Sequence, residues 1–446
     1  MIGSNVFLSG ETETLAHTIN PAKSYLPAQI SSMFFMKNIY YGWFMLAGLS
    51  LMYATTNGVG AYALSVMRPL QIKSFGLDAQ SAAFLPTLLF ITIAIASPFV
   101  GRLLDRFNPR TVISIGAFGA TGLIFLQAYI TSYTVLCVFY VLYGICMSLA
   151  GIISFMYLVN KWFSHYKGIA TGIVILGSSL GGIIFPRVAV MAGADWQKAC
   201  MFLGIASAVL LLPPLLLIKP EPAAMGTVPD GAAFPDRPNA PSAKTNLSLA
   251  DALRSYTFYL VLIVTGILWF CIKGYLQNHG FVMKDLGQTP AMSATLLGYF
   301  SIMAIAGKLF FGYLSDRIPA AYIMVLTICI MALSFFMLST FSISPLLLNA
   351  FALVAGFGFG GAFTIIQVWV AHIYGGKRYG SVLGVVTMID ELAGSTGAIV
   401  LGTLRKTSGS FISGLHLMLV LCAVAIVSAL LVRRGKGSSL IPEARL

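Results

Sequence analysis

Charge is what this chain has least of. Only 9% of its 446 residues are Asp, Glu, Lys or Arg, while 58% are apolar. That ratio cannot cover a water-facing surface, so a soluble globular fold is excluded and the solvent must be largely lipid. Paired cysteines are missing too. Cys137, Cys146, Cys200, Cys271, Cys329 and Cys422 sit singly inside apolar stretches, without the spacing of a disulfide frame or a zinc site. No metal and no cofactor are expected. The chain has no G-x-x-x-x-G-K-[ST] loop to cradle nucleotide phosphates, and no metal-ligand cluster or Ser/His pair that would mark an intramembrane enzyme. The first 35 residues include Glu11 and Glu13 and lack the basic-then-apolar order of a cleavable leader; Met33 and Met36 are candidate translation starts.

What the chain does have is hydrocarbon-length apolar windows. About 20 residues cross the roughly 30 Å of a bilayer core, and such windows centre near residues 53, 91, 121, 147, 180 and 208, then near 268, 302, 330, 357, 391 and 420. The expected fold is an all-α membrane protein of twelve transmembrane helices. Between the two sets of six, residues 219–254 are rich in Pro, Ala and Asp and carry no apolar periodicity, which predicts a linker. Its last stretch, SLADALR, has Ser248 as a candidate cap and predicts a short helix. The net charge of +13 has a topological reading. With the N-terminus inside, about eighteen Lys and Arg fall on the cytoplasmic side, among them Arg102, Arg110, Lys161, Lys167, Lys377 and Arg378, against about seven outside. Both termini are therefore expected in the cytoplasm, with no nucleic-acid partner.

The two sets of six are copies. Gly101-Arg-Leu-Leu-Asp105-Arg106 recurs as Gly312-Tyr-Leu-Ser-Asp316-Arg317, 211 residues later, and Lys167-Gly168 with Gly172 and Gly182 recurs as Tyr379-Gly380 with Gly384 and Gly394, 212 residues later. One offset kept by two independent motifs indicates duplication. The repeated G-x-L-x-D-R loop resembles the signature of the major facilitator superfamily, with Asn108 where a Gly is usual and Pro319 in the second copy. Within it, NKWFSHYKGIATGIVILGSSLGGIIFP (Asn160 to Pro186) resembles the monocarboxylate transporter and oxalate/formate antiporter branches. The resemblance implies two six-helix bundles around a central cavity, acting as a monomer in the bacterial inner membrane. The expected divisions are a tail at 1–39, an N-terminal bundle at 40–218, the linker at 219–254, a C-terminal bundle at 255–433 and a tail at 434–446.

Candidate functional residues fall into two groups. Asp105 with Arg106 and Asp316 with Arg317 close helices at the cytoplasmic face, where a carboxylate can accept from a neighbouring helix N-terminus and latch one conformation. The resemblance makes these gating residues; solvated turn charges are the alternative. The second group lies where hydrocarbon should be, at a cost of at least about 2.5 to 3.5 kcal/mol for a lone ion. Asp390 and Glu391 sit ten and eleven residues into the eleventh helix, Lys308 sits five residues before the end of the eighth, and Lys273 lies in the seventh. The resemblance places the eighth and eleventh helices on the cavity, and one of the two acids is expected to pair with Lys308 when the site is empty, a structural ion pair being the alternative. It also puts Lys308, in GKLFFGYLSDR, where those branches carry a substrate-binding Arg, and Ala304 where the monocarboxylate branch carries an Asp.

Asp390 or Glu391 can then supply the missing titratable group, so that substrate and proton bind together. Lysine presents a compact charge rather than a bidentate fork, which loosens the geometric demand on the anion. Asn57, Gln277, Gln367 and Lys273 are further candidate substrate contacts; Asn278 has the same two readings, ligand or interhelical hydrogen bond. His279 reads as a wetted residue near the outer mouth. The expected activity is proton-coupled symport of a small organic anion, a mono- or dicarboxylate. An exchanger or exporter remains open, although the fifth helix lacks the Pro of the drug-antiporter G-P-x-x-G-G pattern. A membrane sensor would need a signalling domain that neither linker nor tail is long enough to hold.

Overall fold

The computed structural model describes residues 40–77, 79–193, 195–231, 249–340, 344–376 and 378–435. The tail assigned to 1–39, linker residues 232–248 including Ser248, Lys377 and the tail beyond 435 lie outside the described residues. Every regular element among them is helical. Hydrocarbon supplies no hydrogen bonds, so the backbone must satisfy its own.

Among the described residues, eleven helices are long and apolar enough to cross a membrane as continuous or nearly continuous rods. The remaining crossing comes first in the chain: Tyr41–Asn57 and Leu64–Phe75 are α-helical and are joined by a π-helical segment, Gly58–Ala63. Spans two to six are Ala79–Arg106, Pro109–Gln127, Tyr133–Trp162, Lys167–Val190 and Trp196–Leu217, the fourth interrupted between Leu149 and Ile152. Spans seven to twelve are Tyr256–Asp285, Pro290–Ser315, Ala320–Thr340, Pro345–Tyr374, Tyr379–Ser408 and Ile412–Gly435. A short helix, Leu249–Arg254, ends the linker where the sequence predicts one.

Several spans start at legible punctuation. Asn108-Pro109, Thr289-Pro290 and Ser344-Pro345 each place a capping side chain before a proline at the first helical position, and each side chain accepts a backbone N–H: Arg110 at 2.9 Å, Met292 at 3.2 Å and Leu347 at 3.2 Å. Asn108, the departure from the family loop, is thus a cap.

The duplication is visible in the packing. Spans one and five, two and four, three and four, and three and six pack together, and so do seven and eleven, eight and ten, nine and ten, and nine and twelve. Adding six to each number turns one set into the other. Between the halves, span two packs on eleven and span five on eight, which are again equivalent pairs. This seam lies at the end of the bundle that carries the linker. Glycines set its closeness: a Cβ on Gly312 would lie 2.7 Å from the Gly168 carbonyl oxygen, and one on Gly101 would lie 2.7 Å from the Gly380 carbonyl carbon. Gly312→Leu is therefore expected to yield inserted protein whose seam is pried open. Maleimide labelling of an Ile169→Cys reporter should rise severalfold, and unchanged labelling would mean that this approach does not hold the seam.

Candidate functional site

Two carboxylates close the seam. Asp105 accepts the backbone N–H of Gly380 at 3.0 Å, that of Ser381 at 2.8 Å, and the Ser381 hydroxyl at 2.5 Å. Asp316 accepts the N–H groups of Gly168 at 2.6 Å and Ile169 at 2.9 Å. Each therefore sits on the N-terminus of a helix from the other half, where unpaired amides and the helix dipole favour an anion. Arg106 and Arg317 stay exposed; the Arg317 guanidinium lies over its own neighbour's ring, Tyr313, at 3.5 Å. Asn160 adds a third tie, donating to the Gly375 carbonyl at 3.1 Å while accepting from Lys167 Nζ at 2.7 Å. Linker residue Asp230 accepts from the amides of Ser164 and His165 at 2.9 and 2.8 Å, fastening the linker beside the same loop.

Lys308 is the least exposed charged residue among the described residues, at 1%. Its ammonium donates to Ser179 Oγ at 2.7 Å, Ser178 Oγ at 2.8 Å and the Ile175 carbonyl at 3.3 Å, all on span five. Phe363 and Phe359 of span ten lie 5.4 and 6.0 Å from it. The expected pairing with Asp390 or Glu391 is not formed. The reason is topological: span eight meets span five across the seam, while span eleven meets span two. At the repeat offset, Ser178 and Ser179 are the counterparts of Asp390 and Glu391, so Lys308 reaches the right depth in the other copy.

The acids have their own arrangement. Glu391 forms an ion pair with Lys273, whose side chain is 13% exposed against 17% for its partner. The Lys273 ammonium lies 4.6 Å from the Phe90 ring centroid and 5.3 Å from that of Trp269. Asp390, about 100° around the helix from Glu391, is buried at 4% exposure beside Thr265 and Trp269. The Thr265 hydroxyl and the Trp269 indole N–H, both of span seven, face its carboxyl group.

The remaining candidates scatter. Gln367 is buried with Oε1 unpartnered, Asn57 is half-buried where the π segment begins, and Gln277 is exposed. Asn278 donates to the carbonyls of Gly274 and Ala398 at 2.9 and 3.1 Å, a tie between spans seven and eleven. His279 is buried rather than wetted: its Nε2–H donates to the Ser293 carbonyl at 3.0 Å and its Nδ1 accepts from Tyr275 at 2.6 Å. A carbonyl can only accept, which sets the tautomer. Sequence reasoning missed Ser178 and Ser179 as lysine partners and Phe90, Trp269 and Phe363 as ring neighbours. Only the repeat alignment pointed at the two serines.

Twelve crossings in two equivalent bundles, joined at a polar seam with charges enclosed between them, define a polytopic membrane transporter. The chain belongs to the Major Facilitator Superfamily, whose family model matches residues 46–279 and 258–445. An uncharacterized MFS-type transporter of Bacillus subtilis (strain 168) is 24% identical over 369 residues, covering 79% of this chain and 84% of that protein. Monocarboxylate transporter 13 of Rattus norvegicus is 25% identical over 355 residues, covering 76% and 77%. Among solved structures, the proton:xylose symporter XylE superposes with a TM-score of 0.68 at 16% identity, covering 88% of this chain and 94% of that one. The transporter FucP in its outward conformation gives 0.65 at 15% identity, covering 87% and 97%.

Asp316 lies just beyond its span, and burial in the seam pushes its carboxyl up to about 6, against the pull of the two amides; Asp230 adds to the rise and Arg317 opposes it. A value raised in the closed seam means that closure takes up a proton. Closure is therefore most favoured below the ordinary carboxylate value and loses ground as the pH rises through about 6. Labelling of the Ile169→Cys reporter, divided at each pH by the rate for the same protein unfolded in detergent so that thiol ionisation cancels, should slow on acidification from about pH 7.5 to about pH 5, and Asp316→Asn should abolish that remaining dependence. A dependence that survives in Asp316→Asn would assign it to another group.

Proposed function

We propose that this protein is a secondary active transporter that imports a small organic anion, a mono- or dicarboxylate, by alternating access with proton symport. The observation that carries the reading is Lys308: a buried cation at the meeting of the two halves whose hydrogen-bond partners are two hydroxyls and a carbonyl, none of them charged. An anion is what such a cation lacks. The relatives named monocarboxylate transporters favour a carboxylate. The bias of Lys and Arg favours a cytoplasmic linker end, which makes the seam described above a cytoplasmic gate held by Asp105 and Asp316.

Coupling follows from counting charge. Lys273, Glu391 and Asp390 are two acids and one base in one neighbourhood. With Glu391 paired to Lys273, Asp390 is the acid without an ion-pair partner of its own, and it is the group proposed to carry the proton that enters with a substrate carboxylate. That acid stands in for the one missing at Ala304. Substrate carboxylate at Lys308 and proton at the Asp390 group balance each other.

The test is uptake of radiolabelled carboxylates into proteoliposomes under an imposed pH gradient. Accumulation should follow the gradient and collapse with an uncoupler. Lys308→Ala should insert and fold yet lose uptake by at least about tenfold, with Lys308→Arg recovering part of it through a bidentate contact. Normal uptake by Lys308→Ala removes the central assignment, and uptake driven only by counter-anion makes the protein an exchanger.

A further inference from the structure

We propose that the Lys273–Glu391 pair is an anion subsite occupied by the protein's own carboxylate, and that a carboxylate with a flat apolar body, an aryl acid, binds there in place of Glu391. The proposal rests on the organic-anion reading above and names its substrate class.

Three observations carry it. The first is access. Lys308 is sealed, with three oxygens in hydrogen-bond reach of its three N–H groups. Lys273 and Glu391 are the partly exposed pair, so of the two lysines Lys273 is the one that keeps surface for a solute to touch. The second is the shape around that cation. Its ammonium lies against two ring faces, Phe90 at 4.6 Å and Trp269 at 5.3 Å. Phe90 belongs to span two and Trp269 to span seven, so the two walls come from different halves and a flat body between them is gripped by both. Trp269 continues edge-to-face onto Phe363 at 5.0 Å and 78°, and Phe363 lies 5.4 Å from Lys308. An aromatic path thus joins the reachable lysine to the sealed one. Rings next to an ammonium reward an apolar, polarisable body, whereas a small hydrophilic acid would leave them bare.

The third is the competitor. Glu391 is a carboxylate already bound as the cargo's carboxylate would be. When cargo takes Lys273, Glu391 gives up its ion pair with that ammonium. The charged and titratable groups facing Glu391 are Lys273 of span seven, Asp390 beside it on span eleven and Tyr53 of span one. None of them supplies a second cation to hold a displaced carboxylate.

The test measures binding of indole-3-acetate, phenylacetate and acetate to the full-length purified protein by calorimetry. Wild type should prefer indole-3-acetate and phenylacetate to acetate. Glu391→Gln removes the built-in competitor at constant size and should tighten indole-3-acetate about tenfold. Phe90→Leu and Trp269→Leu should weaken the two aryl acids and leave acetate unchanged. The subsite is overturned if acetate binds as tightly as indole-3-acetate, or if Glu391→Gln leaves affinity unchanged or weaker. If carboxylates bind and Lys308→Ala abolishes binding while the Glu391 and Phe90 variants behave as wild type, the subsite alone fails. If no carboxylate binds to any of these proteins, the organic-anion reading fails with it.

Discussion

Carboxylates seated on the amide ends of helices from the opposite half hold this molecule in the conformation described. Asp105 on span eleven and Asp316 on span five are equivalent contacts in the two copies, and each ties one span to a span of the other half. By fastening span five to span eight, the Asp316 contact brings Ser178 and Ser179 to Lys308. By fastening span two to span eleven, the Asp105 contact brings Phe90 over Lys273 while Glu391 holds that lysine. A seam made of hydrogen bonds at a helix end can also be undone, because water replaces each bond when the halves part.

Magnitudes show why Lys308 is stable without an acid. A charge at mid-depth costs about 2.5 to 3.5 kcal/mol. A hydrogen bond to a charged group contributes about 1.5 to 3 kcal/mol, and Lys308 makes three. Neutral oxygens are enough to keep the ammonium in place, and they leave its charge unneutralised. An ion pair would have done the opposite, as Lys273 and Glu391 show. The two lysines therefore represent two ways of storing a cation in lipid: one solvated by neutral oxygens, the other paired with a carboxylate.

Much of the architecture was legible in the residues. Apolar windows placed the spans, and one repeat offset announced two equivalent halves. The pattern Gly-x-x-x-Asp-Arg located the aspartates now seen on helix N-termini. The first span was legible in length but not in form, since the π segment at Gly58–Ala63 arises where Gly58 meets Gly181 across spans one and five. His279 was misread because Tyr275 and Ser293 supply its partners only once spans seven and eight are packed.

The site shows where sequence stopped. Depth along a helix is a local property, set by rise per residue, and the sequence alone determined that Lys308, Asp390 and Glu391 lie deep in lipid. Which helix each one faces is a property of the assembled bundle. Side chains at equal depth meet only if their helices are neighbours, and the seam joins eight to five and two to eleven. Tertiary structure thus gave Lys308 to two serines and Glu391 to Lys273, and left Asp390 alone. Packing of whole faces decided this, through glycine contacts that one-dimensional order does not contain.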